Sequence, residues 1–232
     1  MMSFPWRAWL GLPQVTEAGQ AYRDGTPRRY PGKTSLERLT FVALDAETTG
    51  FDTGRDRVLS LAVAPIRALR LELAGMENWL VYQPTAPLNA AVTVHGILPS
   101  ETAAGEPEEQ VLAGLLVALR GAVLVGHHIA FDVAMLNAAL ERHHRVRLRN
   151  PILDTAVMAQ RTVEAFGVTA YPGQRPPSLD EVCEHLGLPA VERHTAAGDA
   201  FTTAELFLVL CARMQRLRGR PLVVEDLPLE RA

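Results

Sequence analysis

At 232 residues, 48% hydrophobic and 21% charged with a net charge of −3, the chain is sized for one α/β domain plus an appendage, and no global basic field would draw in a polyanion. No apolar run approaches the ~20 residues needed to span a bilayer. Cys183 and Cys211, the only cysteines, sit in helix-like segments, which argues against a disulfide framework or cysteine metal site and for a reducing cytoplasm.

Residues 1–38 are punctuated by Gly, Pro and Arg and have weak periodicity, so they are expected to be an extension packed on the domain or partly loose. Pro5, Gly11 and Pro13 break the apolar stretch around Trp6, Trp9 and Arg7, which lacks a signal-peptide core and cleavage site. The two tryptophans are expected to cover the domain's own surface, with base stacking or partner docking as alternatives. Thr40-Phe41-Val42-Ala43-Leu44 predicts a central strand buried on both faces. Gly50 to Asp56 reads as a turn, Arg57 to Ile66 as a second strand, and Trp79 to Tyr82 as part of a third.

A helical pattern covers Glu106 to Leu119, then Ala122 to Val125 is a short buried strand and Phe131 to about His144 a helix. Pro151-Ile152-Leu153 is a strand stub, Tyr171 to Pro177 a loop, and Ser178 to Leu186 and Thr195 to about Leu217 are helices. This order predicts an α/β fold, a mixed five-stranded sheet flanked by helices. The expected organisation is an extension over 1–38, one domain over 39–218 and a short tail over 219–232.

Three acidic clusters lie at the ends of these elements. Asp45 and Glu47 are two apart on a strand, so both project to one face, where they offer oxygen ligands to a hard cation. Alone, such a pair reads equally as a polar strand end. Asp132 follows the strand at Val123 through Gly126-His127-His128 and is either a helix-start carboxylate, worth ~0.3–1 kcal/mol with the dipole, or a metal ligand. Asp199 and His194, five apart, fall roughly 140° apart on a helix. The workable geometry leaves His194 in a loop, Thr195 near the N-cap and Asp199 early in the helix. Four carboxylates at one sheet edge repel one another unless cations hold them.

The ordered set Asp45-Ala46-Glu47-Thr48-Thr49-Gly50, Gly126-His127-His128 with Phe131-Asp132, and Arg193-His194 with Asp199 resembles the three motifs of the DEDDh branch of the DEDD superfamily, the DnaQ-like 3′–5′ exonucleases. These include polymerase III epsilon-type proofreading exonucleases and ribonuclease T. The likeness extends over residues 40–212, with Val94-His95-Gly96-Ile97, Asp154-Thr155 and Ser178 to Cys183 as further landmarks. It implies an RNase H-like fold and phosphodiester hydrolysis with two divalent cations, Mg²⁺ or Mn²⁺. By motif position, Asp45, Glu47 and Asp199 would hold one cation, Asp45 would bridge to the second, and Asp132 would serve that region directly or through water. His194 would be the general base, a role suited to a side chain that titrates near neutral pH.

Thr48, Thr49 and Gly50 stand where the family touches the terminal nucleotide. His95 and Phe131 stand either there or in a turn and the core, respectively. His128 replaces the family's usual asparagine, and Ser60 stands where many members have glutamate.

The expected product is a nucleoside 5′-monophosphate released from single-stranded 3′ ends, with DNA ahead of RNA. Alternatives are an RNA-processing exoribonuclease and a non-catalytic subunit that binds nucleic acid or a polymerase. Lys33 is the only lysine, which reads as genomic composition before phosphate binding. The dense stretch Arg142 to Arg149 reads as a solvated helix end, or as a phosphate-backbone guide. With no clamp-binding segment evident after the last helix, a stand-alone or loosely polymerase-associated protein is expected, away from membranes.

Overall fold

In the computed structural model, which describes residues 14–167 and 175–232, the apolar run at 41–44 becomes the middle of the sheet. Strand β1 (Thr40–Thr48) pairs antiparallel with β2 (Val58–Arg67) and parallel with β5 (Val123–Gly126). β5 pairs parallel with β6 (Pro151–Asp154), while β2 carries β3 (Arg70–Leu71) and β4 (Glu77–Leu80) on its other edge. β7 (Glu230–Arg231) closes the far edge against β6. The mixed sheet flanked by helices is the RNase H-like fold. Among the described residues it has seven strands where five were expected, because the two-residue β3 and β7 are too short to leave a period in the sequence.

Alternation along the strands builds two cores. Phe41, Ala43, Val123 and Val125 face α6 (Thr155–Thr162), α7 (Leu179–Leu186) and the long α8 (Ala196–Arg218). Val42, Leu44 and Leu124 face α4 (Glu108–Leu119) and α5 (Ala130–His143) on the opposite side. Phe41 meets Phe207 of α8 with ring centroids 4.8 Å apart, and burying a ring of this kind contributes about 1.5–3 kcal/mol. The short helices α2 (Val92–His95) and α3 (Pro99–Thr102) lie between β4 and α4.

The weak periodicity of the first 38 residues hides a helix, α1 (Glu17–Gly25). The Thr16 hydroxyl caps it by accepting from the Gly19 N–H. Tyr22 is 1% exposed, its hydroxyl donates to Asn150 Oδ1, and burial pushes that hydroxyl's pKa up to about 12. Trp6, Trp9 and the 171–174 part of the expected loop lie outside the described residues. At the other end Leu222, Val224 and Leu227 join the first core, and Asp226 is held by Arg218 and Arg220. Among the described residues, no helix is long and apolar enough to cross a membrane.

Candidate active site

The carboxyl ends of β1 and β5 and the amino ends of α5 and α8 meet at one edge of the sheet, and this topology gathers the acidic side chains. Asp45 and Glu47 are joined by Asp199 from the first turn of α8, and one oxygen from each lies within 4.8 Å of the others. Asp132, 8% exposed in the first turn of α5, stands outside that trio but close enough for its charge to act on Asp45. The pairing of β1 with β2 shifts register between Glu47 and Thr48, an irregularity of the kind that re-aims side chains at a strand end. Ser60 faces Glu47 across this pair and donates its hydroxyl towards Asn78 Oδ1 at 3.4 Å.

Around His194 the local geometry follows the spacing in the sequence. Thr195 is the N-cap of α8, with its hydroxyl accepting from Gly198 N–H at 3.0 Å. His194 lies exposed in the preceding loop, and its own N–H donates to Asp199 Oδ2 at 3.3 Å. Both His194 (φ 63°) and Glu192 (φ 43°) occupy the left-handed region, uncommon for residues with side chains.

Electrostatics give the cluster a demand for positive charge. Burial raises the Asp45 carboxyl well above its ordinary range, and Asp132, Asp199 and Glu47 push it further. Glu47 rises to about 7 through burial and then Asp199, with Arg193 opposing. Asp132 also rises to about 7, mainly through burial, with Glu47 and Asp154 adding to it against backbone amides. Among the described residues, the Arg193 guanidinium is the one cation inside the cluster, paired with Asp199 and with Asp180 of α7. An all-oxygen donor set that repels itself in this way fits a hard divalent cation, and the residues therefore suit Mg²⁺ or Mn²⁺.

The cluster forms the floor of a cleft of about 740 Å³. Its walls contain every residue expected to touch a nucleotide: Thr48, Thr49, Gly50, His95, His128 and Phe131. The two threonine hydroxyls are engaged in shaping the turn, Thr48 donating to Gly50 O (2.9 Å) and Thr49 to Asp56 Oδ1 (2.6 Å). At Gly50, a Cβ would come within 2.6 Å of the Asp56 carboxylate, so the missing side chain makes room for that anchor. His95 is 7% exposed; its Nδ1 accepts from Ile97 N–H at 3.0 Å, which leaves the proton on Nε2, on the side of the Thr48 backbone. Burial lowers the pKa of His95.

His127 and His128 meet edge to face and both reach the Pro177 carbonyl, at 2.9 and 3.0 Å. His127 is held neutral, its pKa lowered to about 4 by burial and then by His128. His128, in the left-handed region, donates its backbone N–H to Asp154 Oδ1. Phe131 is half-buried, packing on the second core and also lining the cleft.

Some residues of the site escape sequence reasoning. Phe51, 88% exposed, stands 5.4 Å from Phe131 between ring centroids, and only its place directly after Gly50 hinted at this. Asn89 donates to the Thr49 carbonyl at 2.7 Å and ties the far wall to the turn that follows β1. Arg193 was visible only as the neighbour of His194. At Gly198 a Cβ would lie 2.3 Å from the carbonyl oxygens of Val191 and Glu192, so glycine is what lets the His194 loop fold onto α8.

Comparison with known proteins agrees with this geometry. A DNA polymerase III subunit epsilon-like protein of Rhodobacter capsulatus is 37% identical over 182 residues, 77% of this chain but 24% of that protein. A PolC-type DNA polymerase III of Latilactobacillus sakei is 28% identical over 81% of this chain and 12% of its own length. The chain thus spans a quarter or less of these two relatives. The DNA polymerase III subunit epsilon of Aquifex aeolicus is 28% identical over 79% of this chain and 86% of its own. Among solved structures, E. coli exonuclease I in complex with a dT13 oligonucleotide shares the fold, with a TM-score of 0.60 at 20% identity over 78% of this chain and 43% of that one. Residues 42–207 match the RNase T family, described as exonuclease; with Asp45, Glu47, Asp132, His194 and Asp199 all inside that span, the chain belongs to this exonuclease family.

Proposed function

We propose that this exonuclease works in the 3′–5′ direction on single-stranded DNA ends, releasing nucleoside 5′-monophosphates, with RNA ends as a secondary substrate. The observation that carries this reading is the convergence of Asp45, Glu47 and Asp199 within 4.8 Å on the floor of a cleft whose lip bears His194. Asp45, Glu47 and Asp199 would hold one divalent cation, and Asp132, with Asp45, the region of a second. Paired cations supply Lewis-acid polarisation of the phosphodiester and neutralise charge on its oxygens.

The remaining work falls to the chain's own groups. His194, on its exposed loop, takes the proton from the attacking water, while Thr195 and Gly198 fix where that loop leaves α8. Phe51 and Phe131 offer ring faces to bases at the strand end. The His95 Nε2–H gives a donor in the wall, and the Thr48–Gly50 backbone passes close to the terminal sugar. The domain over 39–218 carries this machinery, with residues 14–38 and 219–232 bracing it.

The dT13 bound to the E. coli neighbour supports a single-stranded DNA substrate, and the polymerase III names of the relatives support loose association with a polymerase in the cytoplasm. The test is a matched pair of 20-mers labelled at the 5′ or 3′ end, as DNA and as RNA, with Mg²⁺, Mn²⁺ or chelator. The 5′-labelled strand should shorten stepwise and the 3′ label leave first as a mononucleotide. Release of the 5′ label first would reverse the direction. Binding without shortening under every metal would leave only a nucleic-acid-binding subunit, and shortening of RNA alone an exoribonuclease.

A further inference from the structure

A belt of arginines lies at the end of the sheet opposite the cleft. Beyond α5 burial alternates, with Val146, Leu148 and Asn150 inward, so Arg145, Arg147 and Arg149 share the outward side. α1 runs beside this segment: Thr16 N–H donates to His144 O, and the Arg149 guanidinium donates to Arg23 O at 2.9 Å. Arg120 lies against the end of α1, where a Cβ on Gly25 would come within 2.6 Å of its Cδ. Arg28 is near enough to Tyr22 for its charge to favour the ionised hydroxyl. None of these six arginines has a carboxylate partner among the described residues.

The belt is also rigid. Leu148 N–H donates to Asn137 Oδ1 at 2.7 Å, Arg149 N–H to the Tyr22 hydroxyl at 2.8 Å, and the Asn150 amide to Leu119 O and Ala122 O. Guanidinium groups without a carboxylate partner among the described residues, on a clamped scaffold in a chain of net charge −3, suit an anion from outside.

The geometry points to a second nucleic-acid-binding surface at this belt, gripping the sugar-phosphate backbone of the strand whose end occupies the cleft; this placement rests on the exonuclease reading. Arg145 turns the chain in the left-handed region (φ 54°), and Arg147 and Arg149 then alternate with buried residues, so one strand can meet successive guanidinium groups along a single stretch of chain. Their planar forks suit phosphate oxygens. Thirteen residues separate Asp132 from Arg145, mostly along α5, which places the belt ~20 Å from the cleft, about six stacked nucleotides upstream.

The test compares wild type with the triple variant Arg28→Gln/Arg145→Gln/Arg147→Gln, which spares the bracing Arg149. Binding of a labelled dT20 is measured in chelator from 50 to 200 mM salt, and shortening of a trinucleotide, too short to reach the belt, is measured with Mg²⁺. Three lost single-strand phosphate contacts at ~0.7 each flatten the log–log salt slope by about 2, so wild-type affinity should fall about 16-fold more than the variant's across that range. Trinucleotide kinetics should stay unchanged. Arg147→Gln alone should flatten the slope by about 0.7, which keeps the idea testable if the triple variant folds poorly. Unchanged slope and affinity would overturn the belt, as would loss of polyglutamate binding with dT20 binding intact, the mark of an acidic protein partner. A wild type that binds dT20 through these arginines yet shortens neither dT20 nor the trinucleotide with Mg²⁺ or Mn²⁺ would uphold the belt and sink the catalytic reading instead.

Discussion

Gly198→Ala tests whether the loop before α8 is held in place by a missing methyl group. An added Cβ would sit 2.3 Å from two backbone oxygens, against the 3.0 Å that real Cβ contacts respect, so the 191–194 loop must retreat by the difference, 0.7 Å or more. In stability two terms nearly cancel. Alanine gains ~1 kcal/mol of helix propensity over glycine, while overpacking costs ~1–3 kcal/mol. The net loss of about 0–2 kcal/mol lowers melting by at most about 8 °C in a chain of this size. Function has no such compensation, because the same retreat carries Arg193 and His194 away from Asp199. A displacement near 1 Å costs about 10²-fold in rate, equivalent to ~2.7 kcal/mol of barrier. Single-turnover shortening of a 5′-labelled DNA strand, measured beside thermal melting, reads both quantities. Gly114→Ala in α4 is the control, since its Cβ would meet Trp79 at an ordinary 3.4 Å; it should stabilise the chain by up to ~1 kcal/mol and leave activity alone. A Gly198→Ala protein with wild-type rate and melting would show that the loop is not set by this contact.

His194→Ala should slow turnover by about 10²–10⁴-fold while Mn²⁺ binding, followed by calorimetry, stays within twofold; unchanged kinetics would remove it from proton transfer. Phe51→Ala should leave melting unchanged, because the ring is exposed, and weaken oligonucleotide binding by ~1–3 kcal/mol if it stacks on a base. The folded-state pKa of Glu47, about 7 against an ordinary 4.5, means the fold binds that proton more tightly than the unfolded chain does. In chelator, its contribution to stability is therefore present below pH 4.5 and is lost as pH rises to 7. Glu47→Gln should accordingly gain on wild type across that interval in urea melts, and a gap that shrinks instead would show that Glu47 is not raised.

Much of the site could be read from the chain because it depends on local rules. Strand alternation put Asp45 and Glu47 on one face, and the five-residue interval from His194 to Asp199 required a loop, a Thr195 cap and a helix start. What stayed hidden depends on contacts between distant segments. α1 is there to be read, with a Thr16 cap, Glu17 in its first turn and an amphipathic pattern, but the Gly and Pro residues around it mask the signal; what the sequence does not hold is Tyr22 reaching Asn150. The pairing of Arg193 with Asp180 and Asp199 needs α7 and α8 already packed. Phe51 opposite Phe131, and the glycine at 198, depend on how turns fold back, which no spacing rule records.

The sheet separates two apolar interiors, and the acidic groups are divided between their scaffolds. Asp199 rides on α8, seated in one interior, while Asp132 rides on α5, seated in the other; β1, which bears Asp45 and Glu47, contributes to both. A flaw deep in either interior, such as a truncated Phe207 or Leu136, would tilt one support without the other and spoil alignment where they meet. Heat-sensitive variants from either side of the molecule should therefore go silent several degrees before they melt, so that turnover gauges packing more finely than any unfolding curve.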